Sequence, residues 1–301
     1  MRIAVTGPTG HIGNKIVQIL QDMGGNELVL LARNPDKLTT ERARGATVIK
    51  GDLEDSCFVK RATQNVDSLF WMIPPKADER LFRGYVRKLS ENAAFAIRSN
   101  RIKRVVFLSS IGAHLAEGCG PVSGLHDGEH ILRQVSWNLT ILRPAYFMEN
   151  FLMLLESISE LGAFFLPVPG SISFPMIATK DIAEVASRAL SDTTWGGLRI
   201  LPLHGPKDYS FEEAARIIGE GIEREVGFVQ VSPDQTRAFL LNKGVSEHMA
   251  DLYLEMYNAI ETGYMRDEFP RGPQTTTPTT LEEFTRQYIV PAVKHQHVIK
   301  E

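Results

Sequence analysis

Thr6-Gly7-Pro8-Thr9-Gly10-His11-Ile12-Gly13 carries three glycines at three-residue intervals, directly after the apolar triplet Ile3-Ala4-Val5. Glycines so placed let a chain turn sharply off a strand, bring its backbone close to a pyrophosphate, and start a helix tight against a sheet. The first amides of that helix have no carbonyl partner, and they face an anion with the positive end of the helix dipole. Gly7, Thr9, Gly10, His11, Ile12 and Gly13 are therefore the candidate diphosphate cradle of a dinucleotide site. A tight turn without a ligand is the plainer alternative.

A second residue type bears on which dinucleotide. Where a ribose hydroxyl is held, an acidic side chain is expected about 20 positions further on. Here Arg33 stands 20 residues beyond Gly13, in Leu31-Ala32-Arg33-Asn34-Pro35-Asp36-Lys37. Arginine cannot accept from a hydroxyl, but it forks onto a phosphate, and Lys37 adds a second charge. The pair points to NADP(H) in preference to NAD(H); the alternative is a solvated arginine at a strand end. Further cofactor contacts fall where other strands end. Asp52 and Leu53 follow one strand, Asp52 as acceptor for an adenine amino group or else as a helix cap. Ile73, Pro74 and Pro75 form a stiff wall after another, and Ser109 with Ser110 offers hydroxyls after a third.

These residues need a scaffold that brings strand ends together. Short apolar runs at residues 3–5, 28–31, 47–49, 68–73, 105–108 and 139–142 alternate with helical patterns. That alternation is the mark of a doubly wound parallel α/β sheet, a Rossmann-type fold. The first helix carries Ile12, Ile16, Ile19, Leu20 and Met23 on one stripe and ends at Gly24-Gly25, where a left-handed cap is wanted. Asn34-Pro35 reads as the cap and first residue of the next helix. The sequence divides into a dinucleotide-binding domain over residues 1–150 and a smaller, mainly helical subdomain over 151–301, for a substrate or a partner. A strand and helix from about 176–206 return to the first domain. Helices are expected at 147–161, 180–190, 211–223, 235–241 and 245–262, with a loop at 270–280. A last helix opens at Thr280-Leu281-Glu282-Glu283, which has capping-box spacing.

Bulk properties exclude several classes. Lys and Arg number 33 against 36 Asp and Glu, a net charge of −3, so there is no nucleic-acid footprint. Cys57 and Cys119 are the only cysteines, too few for a disulfide framework or a zinc cluster. His295 and His297 lie in a charged tail and read as solvated, not as metal ligands. The opening apolar stretch stops after three residues, too short for the core of a signal peptide, and no run of about 18 apolar residues suggests a membrane span. A cytoplasmic protein is the expectation.

Together the segments Val5 to Gly13, Ala32 to Lys37, Gly51-Asp52-Leu53-Glu54-Asp55, Leu108-Ser109-Ser110-Ile111-Gly112-Ala113 and Leu142-Arg143-Pro144-Ala145-Tyr146-Phe147-Met148-Glu149-Asn150 resemble the NmrA-like family of atypical short-chain dehydrogenase/reductases. Ala178-Thr179-Lys180-Asp181-Ile182-Ala183 and Leu203-His204-Gly205-Pro206 extend the likeness, which fades in the last third. The resemblance implies that the Leu-Arg-Pro segment lies beside the nicotinamide, placing Pro144, Tyr146 and Phe147 near its reactive end. It also supports Arg33 as the NADP discriminator. The family includes reductases of quinones, azo dyes and plant phenolics, and regulators that bind the dinucleotide without turnover.

Short-chain reductases pair a tyrosine with a lysine four residues later, which lowers the tyrosine pKa. The seven tyrosines, at 85, 146, 209, 253, 257, 264 and 288, are followed at that distance by Leu89, Asn150, Glu213, Tyr257, Glu261, Glu268 and Ala292. The pair is absent. By resemblance its place falls near residues 121–129, where Ser123, His126, Asp127 and Glu129 are the proton-active groups. His126 is one catalytic candidate, with a helix-surface histidine as the alternative. Tyr146 is the other, either holding a substrate carbonyl or serving as core. The reading is an NADPH-dependent reductase of a small quinone- or azo-type acceptor. The rivals are a non-catalytic NADP(H) sensor acting through a protein partner, and an isomerase that retains its nicotinamide.

Overall fold

The computed structural model describes residues 1–266 and 269–300, the last five without side chains, so His297 falls outside the described side chains. The chain opens with β1 (Arg2–Thr6), α1 (His11–Met23), β2 (Glu27–Ala32), a single turn α2 (Thr40–Ala43), β3 (Ala46–Lys50), α3 (Ser56–Ala62) and β4 (Ser68–Met72). It continues through α4 (Phe82–Asn100), β5 (Arg104–Leu108), α5 (Pro121–Arg133) and β6 (Leu139–Pro144). Then come β7 (Tyr146–Phe147), α6 (Asn150–Met153), α7 (Leu155–Leu161), β8 (Ala163–Leu166), β9 (Ser173–Ile177), α8 (Thr179–Ser191) and β10 (Leu198–Leu203). The last part holds β11 (Asp208–Ser210), α9 (Phe211–Ile222), β12 (Gly227–Gln230), α10 (Pro233–Asn242), α11 (Glu247–Glu261), α12 (Leu281–Phe284) and α13 (Val290–Lys300).

Seven strands form one parallel sheet in the order β10-β6-β5-β4-β1-β2-β3. Strand order reverses between β1 and β4, which opens a crevice at the carboxyl edge. Thr6 pins that seam: its hydroxyl donates to the Phe70 carbonyl at 3.1 Å and accepts from the Met72 amide at 3.0 Å. Alternate residues of β1 feed opposite faces, as the two-residue period of a strand requires. Ile3 and Val5 join α1 and α8 in one core, while Ala4 joins α3 and α4 in the other. Within residues 176–206, β10 lies on the sheet edge beside β6 and α8 packs on α1.

A third core, built on Phe151, Phe164, Phe211 and Phe284, supports the second half. Helices α8, α9, α10 and α11 overlap the expected ranges, and the capping box at Thr280 and Glu283 is complete. Two small sheets, β11-β9-β7 and β12-β8, were not expected. Nor is 147–161 one helix. Phe147 pairs with Ile177 in a strand, and Leu154, at φ −99° and ψ 3°, separates α6 from α7. After β2, Asn34 makes no side-chain cap and Pro35–Lys37 is a single 3-10 turn, so Lys37 is not on a full helix.

Candidate functional site

The glycine loop divides its labour by position. Gly7 has φ +61°, the left-handed region, and a Cβ there would meet the Met72 sulfur at 2.4 Å. A Cβ on Gly13 would lie 2.1 Å from the Gly7 carbonyl oxygen, so this glycine lets α1 start against the loop. Gly10 differs: its Cβ direction meets only the Gly7 oxygen, at 3.6 Å, and otherwise points into open space. Gly10 is the N-cap of α1 and no side chain caps that end. The amides of His11, Ile12 and Gly13 thus face a gap that a Cβ at Gly10 would enter. Such a cradle fits a diphosphate on its own geometry.

This gap continues into a cavity of about 390 Å³ lined by Thr9, Gly10, His11, Asn14, Lys15, Glu149, Leu152, Thr179, Lys180 and Tyr288. Glu149 is the unexpected member. Its carboxylate accepts from the Thr179 amide at 3.0 Å and from the Thr179 hydroxyl at 2.5 Å, closing the start of α8. Burial pushes its pKa up against those hydrogen bonds. Sequence reasoning quoted Glu149 inside a motif without giving it a role, because its partner lies 30 residues away.

Beyond the loop, the strand ends deliver the remaining candidates side by side. Arg33 and Lys37 are exposed, and their side chains form no ion pair among the described residues. Asp52 is exposed and turns one oxygen to the Glu54 amide at 2.9 Å; the cap of α3 is Asp55, which settles the helix-cap alternative against Asp52. Leu53 is buried in the core, with its carbonyl accepting from Asn92 at 2.8 Å. Nearby, Lys76 is neutralised by Glu54 at 3.0 Å and Glu79 at 2.9 Å and lies 4.8 Å over the Tyr85 ring. Its charge is spent, whereas Arg33, Lys37 and Lys50, the last in register with Ala32, are exposed and form no ion pair among the described residues. Ile73 and Pro74 are half-buried and Pro75 exposed along the loop after β4.

At the other end of the cleft, Pro144 ends β6 buried and Phe147 is half-buried on β7. Four strand spacings of about 4.8 Å separate β2 from β6, so the cleft spans about 19 Å. Tyr146 stands edge-on to Phe211 at 5.7 Å and tilted against Phe151 at 6.0 Å, its phenol hydrogen-bonded to Asn150. Burial holds its pKa well above that of a free phenol, so it keeps its proton. Tyr257 of α11 faces it, pushed up to about 12 by the same cause; sequence reasoning missed that residue. His126, half-buried on α5, directs Nδ1 to the Ala113 carbonyl at 3.0 Å and packs 4.5 Å from His130. Ser109 is buried and donates to Glu129 at 2.6 Å. Among the described residues no cluster has metal-ligand spacing, and no helix is long and apolar enough to cross a membrane.

A model of the NmrA-like family matches residues 1–285. The NAD(P)H azoreductase of Xenophilus azovorans is 27% identical over 289 residues, covering 95% of this chain and 97% of its own. Two crystal structures share the fold. The NADPH-dependent quinone oxidoreductase of Escherichia coli, complexed with NADPH, gives a TM-score of 0.78 at 22% identity over 95% of this chain and 99% of that one. The Citrobacter sp. triphenylmethane reductase complexed with NADP(H) gives 0.78 at 24% identity, with the same coverage.

Proposed function

This chain belongs to the NmrA-like family, and from that premise we propose that it is an NADPH-dependent reductase of a small conjugated acceptor of the quinone or azo type. The observation that carries the proposal is the uncapped start of α1, where only Gly10 leaves room for a diphosphate. When bound, the nicotinamide supplies the hydride, and the protein supplies binding and orientation. The first amides of α1 hold the diphosphate, and Arg33 with Lys37 meets a 2′-phosphate, which selects NADP over NAD.

Tyr146 follows the end of β6, packed on Phe151 and Phe211, with Tyr257 close enough to act on its phenol. A phenol that keeps its proton is a hydrogen-bond donor, so Tyr146 holds a carbonyl oxygen of the acceptor in place and lowers the cost of charge building there. A quinone becomes a hydroquinone by gaining one hydride and one proton, and water can deliver that proton. The missing tyrosine–lysine pair is then no obstacle. A ligand-dependent regulator remains the second reading, favoured by that same absence.

The test is to mix pure protein with NADPH and separately with a benzoquinone, an azo dye and a triphenylmethane dye, following loss of nicotinamide absorbance. Saturable turnover of at least one acceptor is expected. Tight NADPH binding with no turnover would overturn the reductase reading in favour of the regulator.

A further inference from the structure

The cavity that opens from the diphosphate cradle carries charge that the cradle alone does not explain. Its volume is about 390 Å³, and it lies between the starts of α1 and α8. Lys15, Lys180 and Glu149 are the charged side chains on its wall, beside the titratable His11. Glu149 is already engaged. Both its oxygens accept from the Thr179 amide at 3.0 Å, and one also takes the Thr179 hydroxyl. The first amide of α8 is therefore occupied, whereas no side chain caps α1.

The two lysines are not engaged in that way. Lys15 donates to the Gln18 side-chain oxygen at 3.0 Å, and Lys180 to that of Gln287 at 3.3 Å. Those acceptors are neutral amides, and among the described residues neither ammonium has a carboxylate partner. Lys76, Lys88, Lys103 and Lys207, by contrast, each meet a carboxylate at 3.0 Å or less. An ammonium has three N–H donors, so Lys15 and Lys180 each keep two, with their whole charge, and both are half-buried on the cavity wall. Tyr288 supplies a third side from a π-helical turn at Thr285–Ile289, a widening of the helix frequent at functional sites. Gly221 of α9 makes room for that turn, since a Cβ there would meet Thr285 Cγ2 at 2.4 Å. Burial and the charges of Glu149 and Asp181 push the Tyr288 pKa up, so its phenol stays a donor.

We propose that Lys15 of α1 and Lys180 of α8 form a two-sided cation clamp on the diphosphate of the bound dinucleotide, with the Tyr288 hydroxyl as a neutral third donor. This rests on the reading that a nicotinamide dinucleotide is the ligand, and it adds residues that the glycine loop does not announce. Two ammonium groups offset both the doubly charged diphosphate and the carboxylate of Glu149 in the same wall. The clamp is indifferent to a 2′-phosphate. It sets the affinity for both cofactors and leaves the choice between them to Arg33 and Lys37.

The test is calorimetry on the whole protein at about 0.05 M salt, where charge contacts are least screened, with NADPH, NADH and inorganic pyrophosphate as probes. Lys15→Gln and Lys180→Gln should each weaken all three about three- to tenfold, the range of a partly screened charge-assisted contact. NADPH and NADH should lose by the same factor within about twofold, and Tyr288→Phe should weaken both by a smaller factor. Lys15→Arg and Lys180→Arg keep the charge and should stay within about twofold of the parent. Neither lysine leaves a carboxylate stranded, so all variants should melt with the parent. Unchanged affinity for both cofactors in the two glutamine variants overturns the clamp. A loss confined to NADPH overturns it as well, because the lysines would then serve the 2′-phosphate. If the unmodified protein binds neither dinucleotide, the cofactor reading fails by itself, and pyrophosphate titrations of the lysine variants still decide whether this cavity clamps a diphosphate. Binding of none of the three probes removes both.

Discussion

Replacing Arg33 by alanine isolates the 2′-phosphate from the rest of the cofactor. Arg33 is exposed at the end of β2 and shares no ion pair among the described residues, so its removal leaves no buried partner stranded. Stability should therefore stay within about 0.5 kcal/mol of the parent. A charge-assisted hydrogen bond contributes about 1.5–3 kcal/mol. Water and salt reach this side chain, which argues for the lower figure, and about 1.4 kcal/mol is tenfold in affinity. Lys76 cannot take over, being held by Glu54 and Glu79, while Lys37 retains part of the field. Arg33→Ala should thus weaken NADPH about tenfold and change NADH by less than about twofold, read by calorimetry at about 0.05 M salt. The gap between the two cofactors should narrow in about 1 M salt, where the screening length falls to about 3 Å. Equal losses for NADPH and NADH would refute the assignment of Arg33 to the phosphate, and an unchanged NADPH affinity would do the same.

Two other perturbations probe the cradle. Gly10→Val should abolish binding of both cofactors while barely moving the melting temperature, since its Cβ has open space before it; Gly13→Ala should instead destabilise the fold, because its Cβ would sit 2.1 Å from the Gly7 oxygen. Thermal melts and titrations on the two variants separate these outcomes. Glu149 faces the same cavity as Gly10, together with His11, Lys15, Lys180 and Tyr288, and burial raises its pKa. Its ionised form repels a diphosphate, so NADPH affinity should rise as pH falls from about 8 toward 5, and Glu149→Gln should make that slope shallower than the parent's. The sign for stability is the same: a raised folded pKa favours the fold at low pH and costs stability as pH rises through it, so Glu149→Gln should raise the melting temperature at pH 8 more than at pH 5.

What the sequence made legible was local. Gly7, Gly10 and Gly13 announce the loop because their spacing lies within eight residues, Gly7 and Gly13 required by the fold itself and Gly10 leaving its space open. The strand–helix alternation shows in the apolar period of each segment alone. What stayed hidden was paired across distance. Glu149 meets Thr179 from 30 residues away, and Glu129 meets Arg143 from 14. Neither residue type nor spacing marks such partners before the fold brings them together. The small sheets were missed for a related reason: β8 and β12 are four residues each and join partners 64 positions apart, Ala163 with Gly227. Four residues cannot display a period. The apolar run at 147–161 misled because two short helices broken at Leu154 still bury Phe151, Leu155 and Ile158 in one core, while Phe147 pairs in a strand and packs against another.

The side chains around the reactive end share one property that bears on the chemistry. Tyr146 and Tyr257 are held protonated by burial, the Ser109 hydroxyl hydrogen is committed to a hydrogen bond with Glu129, and His126 Nδ1 is hydrogen-bonded to the Ala113 carbonyl. Neither phenol has a lysine four residues further on, the neighbour that would make it a ready proton donor. A site of this kind suits acceptors that stabilise added negative charge within their own conjugated system and collect the proton from water, because such acceptors ask the protein for position and not for acid strength. Simple ketones and aldehydes lack that internal sink, and their reduction without an acid would leave an alkoxide at high cost. The proposed selectivity for conjugated acceptors thus rests on what these groups are already committed to, more than on the shape of any one pocket wall.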